Sequence, residues 1–331
     1  MIVHCYTDQA IIIRIFTCRK LASRSRQAAC PSSVMGMRFC MFLYNDYIGG
    51  KNMSREDNII VFKDTERLCE SNDRIRASVK AATEGQRLIL ETDDVPSSKR
   101  DLHESAAKVV VSKKRTFEAA EAYKGMKTAV HNFASATTPG GGVVKGSSAQ
   151  EECLCRCSGL YFSLNTPKML AGFYEPHRAV HDPLHNDDII YTPSVTVFKS
   201  DTAVPELRPE DEWFDVDVIT CAAPNLRIDP SNPYNMGDGN VHVDISDEEL
   251  QALHEKRLRR MLEVAVMNGA EAVVLGAFGC GAFANNPEVV ARANYNVIGD
   301  YLHAFKVIEF AIYCPPVDDS NYRVFKRVLA G

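Results

Sequence analysis

Apolar and polar residues follow each other along this chain with two different periods. Between 246 and 268, apolar residues recur every three or four positions, as on one face of a helix, and Ser246 with Glu249 forms a capping box at its start. Gly269 fits the end of that helix. Other apolar runs are short and β-branched, as at 108–111, which is typical of strands. Because strands and helices alternate, the pattern predicts an α/β layered fold with a mostly buried sheet.

The same reasoning assigns elements from residue 53 onward. Ser54 is expected to be the N-cap of an opening helix, with Asp57 three residues later in a variant capping box. Helices are predicted at 58–82 (one or two helices), 116–124, 149–164, 246–268, 287–304 and 322–329. Strands are predicted at 87–90, 108–111, 127–133, 189–191, 194–198, 216–221, 272–275 and 307–313. Loops are expected at 175–186, 224–239 and 276–286.

Residues 1–52 differ from the rest because they hold seven basic residues against two acidic ones and show no clean period. Two interpretations remain open. The Arg and Ser content resembles an organelle transit peptide, whereas Met53 followed by a capped helix has the form of a natural start. The second is favoured, so residues 1–52 are expected to fold poorly or not to be normally present.

Composition narrows the classes of protein that fit. With 45% apolar residues and no run of about 18 of them, we expect a soluble chain without a membrane-spanning helix. The formal charge of -5 argues against direct, sequence-independent binding of nucleic acid, which relies on excess Lys and Arg. An anionic ligand is then held locally, by backbone N–H groups. With no secretory signal evident, a cytoplasmic location is expected, and organelle targeting by residues 1–52 is the alternative.

The spacing of the cysteines does not indicate a zinc site. Cys153, Cys155 and Cys157, three of eleven cysteines, lie two residues apart in a predicted helix, which matches neither the usual zinc spacings nor a redox pair. We expect them to be buried packing thiols.

Three histidines, His177, His181 and His185, are four residues apart and could bind a metal ion if they lay on a helix. Pro176 and Pro183 favour a loop instead. No metal is therefore expected.

Glycines followed by acidic residues form the most informative motif. After a predicted apolar strand the loop ends in Gly140, Gly141 and Gly142. Without Cβ atoms, such a loop can lie flat against a ligand. After a short spacer a helix opens with Gln150, Glu151 and Glu152. Each half alone has a plain structural explanation, since glycines make turns and acids favour a first helical turn, but together they indicate a reactive acid beside a ligand-binding loop.

A second glycine-rich loop, 276–286, follows the predicted strand 272–275 and precedes a helix. Strand, glycine-rich loop and helix is a common arrangement for holding a diphosphate on backbone N–H groups. By itself the pattern is generic.

The first motif resembles the signature of the bacterial-type (microbial) poly(ADP-ribose) glycohydrolases, in which a triple glycine is followed after a short spacer by Gln-Glu-Glu. The likeness runs from about Met53 to the C-terminus and extends to 132–135, 154–161, 190–195 and 222–225. It implies a macrodomain-like mixed sheet sandwiched by helices, with an N-terminal helical extension. Residues 53–331 would be the catalytic domain, and 53–105 its helical accessory part.

The resemblance also implies roles for single residues. Glu152 would be the catalytic acid and base, with Glu151 holding ribose hydroxyls. Asn132 would contact a ribose hydroxyl, although a strand-end turn is equally open. The second loop would hold the diphosphate, with Phe283 against a ribose or in the core. The substrate-binding candidates are Asn132, Gly140, Gly141, Gly142, Gln150, Gly279, Cys280, Gly281, Ala282 and Phe283. The family uses no metal for this reaction, and no cofactor is expected.

The leading hypothesis is hydrolysis of ribose–ribose O-glycosidic bonds in poly(ADP-ribose), mainly from chain ends, with ADP-ribose as product. Adjacent helical residues point about 100° apart, so Glu151 and Glu152 cannot flank a bond as in ordinary glycosidases. One of the two acids catalyses the reaction through an oxocarbenium-like state, and the other positions the substrate. A helix N-terminus lowers the pKa of a carboxyl group, whereas a general acid near neutral pH needs a raised pKa. Burial or the substrate phosphate must therefore outweigh the effect of the helix. The alternatives are removal of single ADP-ribose units from protein or nucleic acid, or a non-catalytic ADP-ribose-binding macrodomain.

Overall fold

The computed structural model describes residues 53–97, 100–232 and 237–329. The expectations for residues 1–52 lie outside these ranges. In chain order the α-helices are α1 (Arg55–Ser71), α2 (Asp73–Glu84), α3 (Thr116–Ala120), α4 (Gln150–Cys157), α5 (Leu160–Leu164), α6 (Pro167–Met169), α7 (Glu175–Val180), α8 (Asp247–Met267), α9 (Pro287–Ile298) and α10 (Ser320–Leu329). No helix in the described ranges is long and apolar enough to cross a membrane.

Within the described ranges, seven strands form one sheet in the order β1-β4-β5-β3-β6-β7-β2. They are β1 (Arg87–Ile89), β2 (Lys108–Ser112), β3 (Thr128–Ala134), β4 (Ile189–Val197), β5 (Phe214–Ala222), β6 (Ala272–Leu275) and β7 (Val307–Ala311). Strand β4 is antiparallel to both neighbours, and the other pairs are parallel. The carboxyl ends of β5, β3, β6, β7 and β2 therefore meet at one edge, where a ligand site is expected in such sheets.

Helices cover both faces of the sheet. Helices α8, α9 and α10 contribute Leu262, Val290 and Phe325 to the core on one face, and α4 and α5 contribute Leu154 and Leu160 to the core on the other. Because both faces of the sheet are covered, every residue of β6 and β7 is buried, and all of them except Glu309 are apolar. The predicted mixed sheet between helices is confirmed.

The predicted helix starts are confirmed in detail. Ser54 caps α1, and its capping box with Asp57 is complete. Ser246 and Glu249 form the same box at the start of α8, and Gly269 follows that helix with a φ of +70°. These local signals are reliable because the hydrogen bonds that they supply join residues three positions apart.

In two places tertiary contacts override the local sequence pattern. The helix predicted at 149–164 breaks at Ser158, whose extended backbone forms a bridge with Val197. The strands predicted at 189–191 and 194–198 are one strand, β4, with a register shift where Ser194 has a φ of +49°. A bulge of this kind keeps one strand continuous while it bends.

The loop predicted at 175–186 is partly wrong, because 175–180 forms helix α7. Pro176 lies in its first turn, where a missing N–H costs no hydrogen bond. The helix ends at His181, which has a left-handed φ of +56°. The helix predicted at 287–304 is shorter than expected. Its α-helical part ends at Ile298, and a 3₁₀ turn, Gly299–Tyr301, follows.

Candidate active site

Gln150 attaches helix α4 to the carboxyl end of β3. Its side-chain oxygen accepts a hydrogen bond from the backbone N–H of Phe133 (2.9 Å). Its Nε2 donates to the carbonyl of His131 (2.7 Å) and to Oγ1 of Thr116 (3.0 Å). These bonds hold the first turn of α4, and the acids that follow, against the carboxyl end of β3. The loop with Gly140, Gly141 and Gly142, the first glycine loop, follows this strand.

Glu151 is buried, and both of its carboxylate oxygens have partners. Oε1 accepts from Nδ2 of Asn132 (3.2 Å), and Oε2 accepts from the backbone N–H of Ser135 (2.8 Å). Burial raises the pKa of Glu151 to about 8; the hydrogen bond from Ser135 opposes this rise and the nearby charge of Glu152 adds to it. The folded environment of this carboxyl group therefore favours its protonated form.

Glu152 has one bonded oxygen and one without a partner. Oε1 accepts from the backbone N–H of Gly142 at 2.8 Å. Oε2 is buried and has no hydrogen-bond partner among the residues that the structure describes. Burial raises the pKa of Glu152, and this effect outweighs the lowering by the Gly142 hydrogen bond. The local environment thus favours the protonated form that a general acid needs.

The second glycine loop follows β6 at the same edge of the sheet. Gly279 has a φ of +78°, and its carbonyl accepts from the backbone N–H of Asn285 (3.0 Å). The backbone N–H groups of Gly281, Ala282 and Phe283 donate no hydrogen bond to any residue in the described ranges. Free N–H groups on a turn before a helix can bind an anionic oxygen.

Asn285 holds this loop, and sequence reasoning overlooked it. Its Oδ1 is 2.7 Å from Nε2 of His254 on α8. Its Nδ2 donates to the carbonyls of Pro224 (2.6 Å) and Phe283 (3.1 Å). One buried amide therefore joins the loop after β5, the loop after β6 and a helix. The sequence signal was only an Asn beside the N-cap Asn286, which resembles ordinary helix capping.

Both glycine loops face one cavity of about 640 Å³. Its walls follow the carboxyl ends of the five parallel strands. The predicted site residues that line it are Gly141, Gly142, Gln150, Glu151, Glu152, Gly279, Gly281, Ala282 and Phe283. The two motifs, about 130 positions apart in the printed sequence, are thus brought to a single cavity by the parallel sheet.

Three predicted contact residues do not line this cavity. Asn132 is fully buried behind Glu151 and donates to it and to Oγ1 of Thr220 (3.2 Å). A Cβ atom on Gly140 would lie 2.7 Å from Cδ2 of Tyr161. The thiol of Cys280 bonds to the carbonyl of Phe278. For these three residues direct contact with a ligand stays a prediction.

Comparison with known proteins agrees with this geometry. Residues 57–200 match the family described as microbial-type PARG, catalytic domain. A poly(ADP-ribose) glycohydrolase from Thermomonospora curvata is 28% identical, with 82% of this chain and 99% of that chain covered and a TM-score of 0.69. The same protein bound to the inhibitor ADP-HPD is matched at 30% identity with a TM-score of 0.68, at the same coverage. No curated protein sequence matches significantly.

The poly(ADP-ribose) glycohydrolase from Deinococcus radiodurans in complex with ADP-ribose is 33% identical, with 76% of this chain and 96% of that chain covered and a TM-score of 0.64. This chain belongs to the microbial-type poly(ADP-ribose) glycohydrolase family. The predicted family, the macrodomain-like fold and the enzyme class, a glycosidase of the poly(ADP-ribose) glycohydrolase type, are confirmed.

In this glycohydrolase, sequence reasoning missed several residues that line the cavity. The basic ones are Arg55, Lys114, Arg115 and Arg227. The guanidinium of Arg115 lies 3.9 Å from the ring centroid of Tyr313, which also lines the cavity. A third carboxylate, Asp201, is buried there, and burial raises its pKa to about 6. No local motif marks these residues, because they come from segments far apart in the chain.

Each of the three histidines His177, His181 and His185 forms a hydrogen bond to a protein group. His177 contacts the carbonyl of Phe173 (2.7 Å) and Oδ1 of Asn186 (2.8 Å). Among the described residues, no group of three or more His, Cys, Asp or Glu is arranged to hold a metal ion. The three cysteines of α4 are buried and unpaired, which confirms their expected packing role.

Proposed function

We propose that this chain hydrolyses the ribose–ribose O-glycosidic bonds of poly(ADP-ribose), mainly from chain ends, and releases ADP-ribose. One observation carries the proposal: a buried carboxyl group with an unpartnered oxygen, on Glu152, lines the same cavity as the free N–H groups of Gly281, Ala282 and Phe283. An acid and an anion cradle in one cavity suit a substrate that has a glycosidic bond beside a diphosphate. The preference for chain ends rests on the likeness to the family.

The strand order supports one orientation of the ligand. The loop after β6 holds the diphosphate, and β3 and β7 flank β6 on opposite sides. The ribose that is attacked then extends toward β3 and Glu152. The adenosine extends toward β7 and β2, where Tyr313 and Arg115 offer an aromatic ring and a guanidinium. The solved D. radiodurans relative is in complex with ADP-ribose.

The hydrogen bonds support a division of labour between the two acids. Both oxygens of Glu151 accept hydrogen bonds from Asn132 and Ser135, which fix the carboxyl group in place. In this proposal Glu151 orients ribose hydroxyls. Glu152 keeps one oxygen for the reaction. Asn132 and Gln150 are positioning residues in this proposal, because their side chains hold Glu151 and α4. Gly141 and Gly142 bring the loop backbone against the carboxylates.

The reaction uses one carboxyl group twice. Protonated Glu152 donates its proton to the ribose 2′ oxygen as the C1″–O2′ bond breaks, and the bonding electron pair leaves with that oxygen. An oxocarbenium-like centre remains at C1″. A water oxygen then bonds to C1″, and the Glu152 carboxylate takes the water proton. The products are ADP-ribose and a chain that is one unit shorter, and Glu152 is again protonated.

The proposal includes the domain limits and the location. Residues 53–331 form the catalytic domain, with 53–105 as its helical accessory part, and the chain acts in the cytoplasm on poly(ADP-ribose) or ADP-ribosylated proteins. The unpaired cysteines of the described ranges support a reducing compartment. Removal of residues 1–52 should leave activity unchanged, and a loss of activity would contradict the domain limit.

The test is product analysis on length-fractionated poly(ADP-ribose) and on protein carrying single ADP-ribose units. We expect ADP-ribose from the polymer and little release from singly modified protein. Glu152→Gln should lower kcat by about 10²–10⁴-fold, the usual contribution of a general acid and base, while ADP-ribose binding stays within a few-fold. Glu248→Gln, an exposed acid in the first turn of α8, is the matched control.

Each alternative gives a different result. Release only from singly modified protein indicates a mono-ADP-ribosyl hydrolase. Binding without turnover indicates a non-catalytic module. Full polymer cleavage by Glu152→Gln would rule out the assigned role of that carboxyl group.

A further inference from the structure

One wall of the cavity has no part in the proposed reaction. It is formed by the first turn of α1, with Arg55 and Asn58, and by the segment that follows the triple glycine. This wall adjoins Glu152. The N–H of Gly142 binds Glu152 (2.8 Å), and the carbonyl of the same residue accepts from the N–H of Ser147 (3.1 Å). The accessory helix therefore reaches the reacting end of the cavity.

The contact between α1 and this segment is close and specific. Asn58 is buried, and its Nδ2 donates to the carbonyl of Gly146 at 3.1 Å. Gly146 has a φ of +79°, and a Cβ atom there would overlap the backbone of Arg55. Only glycine fits such a position. The backbone of Arg55 is therefore held at the wall by shape as well as by hydrogen bonds.

Buried hydrogen bonds also join α1 to the helix that carries Glu152. Oγ1 of Thr65 donates to the carbonyl of Arg156 on α4 at 2.6 Å. Nζ of Lys199, itself buried, lies 2.9 Å from Thr65 Oγ1 and 3.0 Å from the carbonyl of Val61. Since these groups are removed from water, losing either partner is costly. Helices α1 and α4 thus form one unit, and Arg55 keeps a constant relation to the acid.

The chemistry of the substrate indicates which part of the polymer lies along this wall. In the proposed orientation the released unit occupies the second glycine loop and the Tyr313 end. The chain that leaves is joined to C1″, so it extends from the other side of Glu152, and its first unit carries a diphosphate of its own. Arg55 lies on that side, whereas Lys114, Arg115 and Arg227 come from the ends of β2 and β5.

We infer that Arg55 forms a subsite for the diphosphate of the polymer unit that leaves, so that the accessory helix makes the enzyme select chains over single units. The inference rests on the proposed function and adds a binding site to it. A guanidinium is suited to this task because its planar fork can make two hydrogen bonds to phosphate oxygens.

The test compares two substrates with the same released unit. One is poly(ADP-ribose), and the other is ADP-ribose that carries p-nitrophenol at C1″, whose leaving group has no phosphate. Arg55→Ala should raise KM for the polymer by about five- to tenfold, the size expected for one charge-assisted contact, with kcat within about twofold. Kinetics on the nitrophenyl substrate should not change. Arg55→Lys should restore part of the polymer KM because it keeps the charge.

Salt and a neighbouring arginine provide the controls. Loss of one phosphate contact should lower the log–log slope of polymer KM against salt by about one. Arg67→Ala removes another α1 arginine, which pairs with Asp64 on the surface, and should behave as the parent enzyme on both substrates.

An equal loss on both substrates, or no loss on the polymer, would overturn the subsite. If the parent enzyme cleaves neither substrate, the proposed function is wrong and so is the subsite. If the parent enzyme cleaves both substrates and the Arg55 variants have the same kinetics as the parent, only the subsite is wrong.

Discussion

A Cβ atom on Gly141 would lie 2.5 Å from Oε1 of Glu152 and 3.2 Å from Oε2 of Glu151. The backbone of the first glycine loop is therefore in direct contact with both carboxylates. Gly141 also has a φ of +58°, which is unfavourable for residues with a side chain. A glycine at position 141 is thus required for packing against the acids as well as for the turn.

We expect Gly141→Ala to displace Glu152 and to lower kcat/KM by about 100-fold, because a shift of about 1 Å at a reacting group has effects of this size. Backbone strain should also lower the free energy of unfolding by about 1–2 kcal/mol. Gly269→Ala is the matched control, since Gly269 has a similar φ of +70° but no atom within 4 Å of its Cβ position. It should lose similar stability and keep full activity. Equal activities of the two variants would contradict the contact.

Gly281 tests the second loop as the diphosphate site. Its Cβ position has no atom within 4 Å, and the residue lines the cavity. Gly281→Glu should therefore fold normally but place a negative charge beside the ligand diphosphate, and we expect ADP-ribose affinity to fall at least about tenfold by calorimetry. Gly299→Glu, at another open glycine, controls for the added charge. Unchanged affinity in Gly281→Glu would exclude this loop as the cradle.

Asn285 should act mainly on binding. Asn285→Ala leaves the carbonyl of Pro224 without its donor and Nε2 of His254 without its partner, and each buried group left unpaired costs about 1–3 kcal/mol. Because the loop loses its support, we expect KM to rise about tenfold and kcat to change less, measured by steady-state kinetics with thermal melting in parallel. Asn296→Ala, an exposed amide on α9, should change neither. A fall in kcat alone would contradict a positioning role.

The pH dependence of stability should carry the signature of Glu151. Its folded pKa of about 8 lies above the ordinary value of 4.5, so the folded protein binds more protons than the unfolded chain between these values. Stability from this group is fully present below about pH 4.5 and is lost as pH rises through about 8, by at most about 1.4 kcal/mol per pH unit. Denaturant titrations from pH 5 to 8 measure this slope.

Glu151→Gln is the control for that slope, because it keeps the shape of the side chain and cannot ionise. The free energy of unfolding of the variant should fall less steeply over the same pH range. Parallel slopes for the two proteins would mean that Glu151 does not hold its proton in the folded state.

The sequence predicted local structure well where the relevant contacts are local. The capping boxes at Ser54 and Ser246 each involve residues three positions apart, and both are present. The break at Ser158 could not be predicted, because its partner Val197 is distant in sequence. Helix α7 is not predicted because proline usually favours a loop, whereas Pro176 lies in the first turn of the helix, where proline is tolerated.

The acids, the two glycine loops and the resemblance that they carry can be recognised in the chain alone, because these features are contiguous motifs. The groups that surround them depend on the fold. Folding brings Glu152 and Gly281 to one cavity through the parallel sheet, and it adds Arg55 from α1 and Asp201 from the segment after β4. It also decided the protonation of the acids, since the pKa of a carboxyl group depends on how far folding removes it from water, and burial is not encoded by any short stretch of the chain.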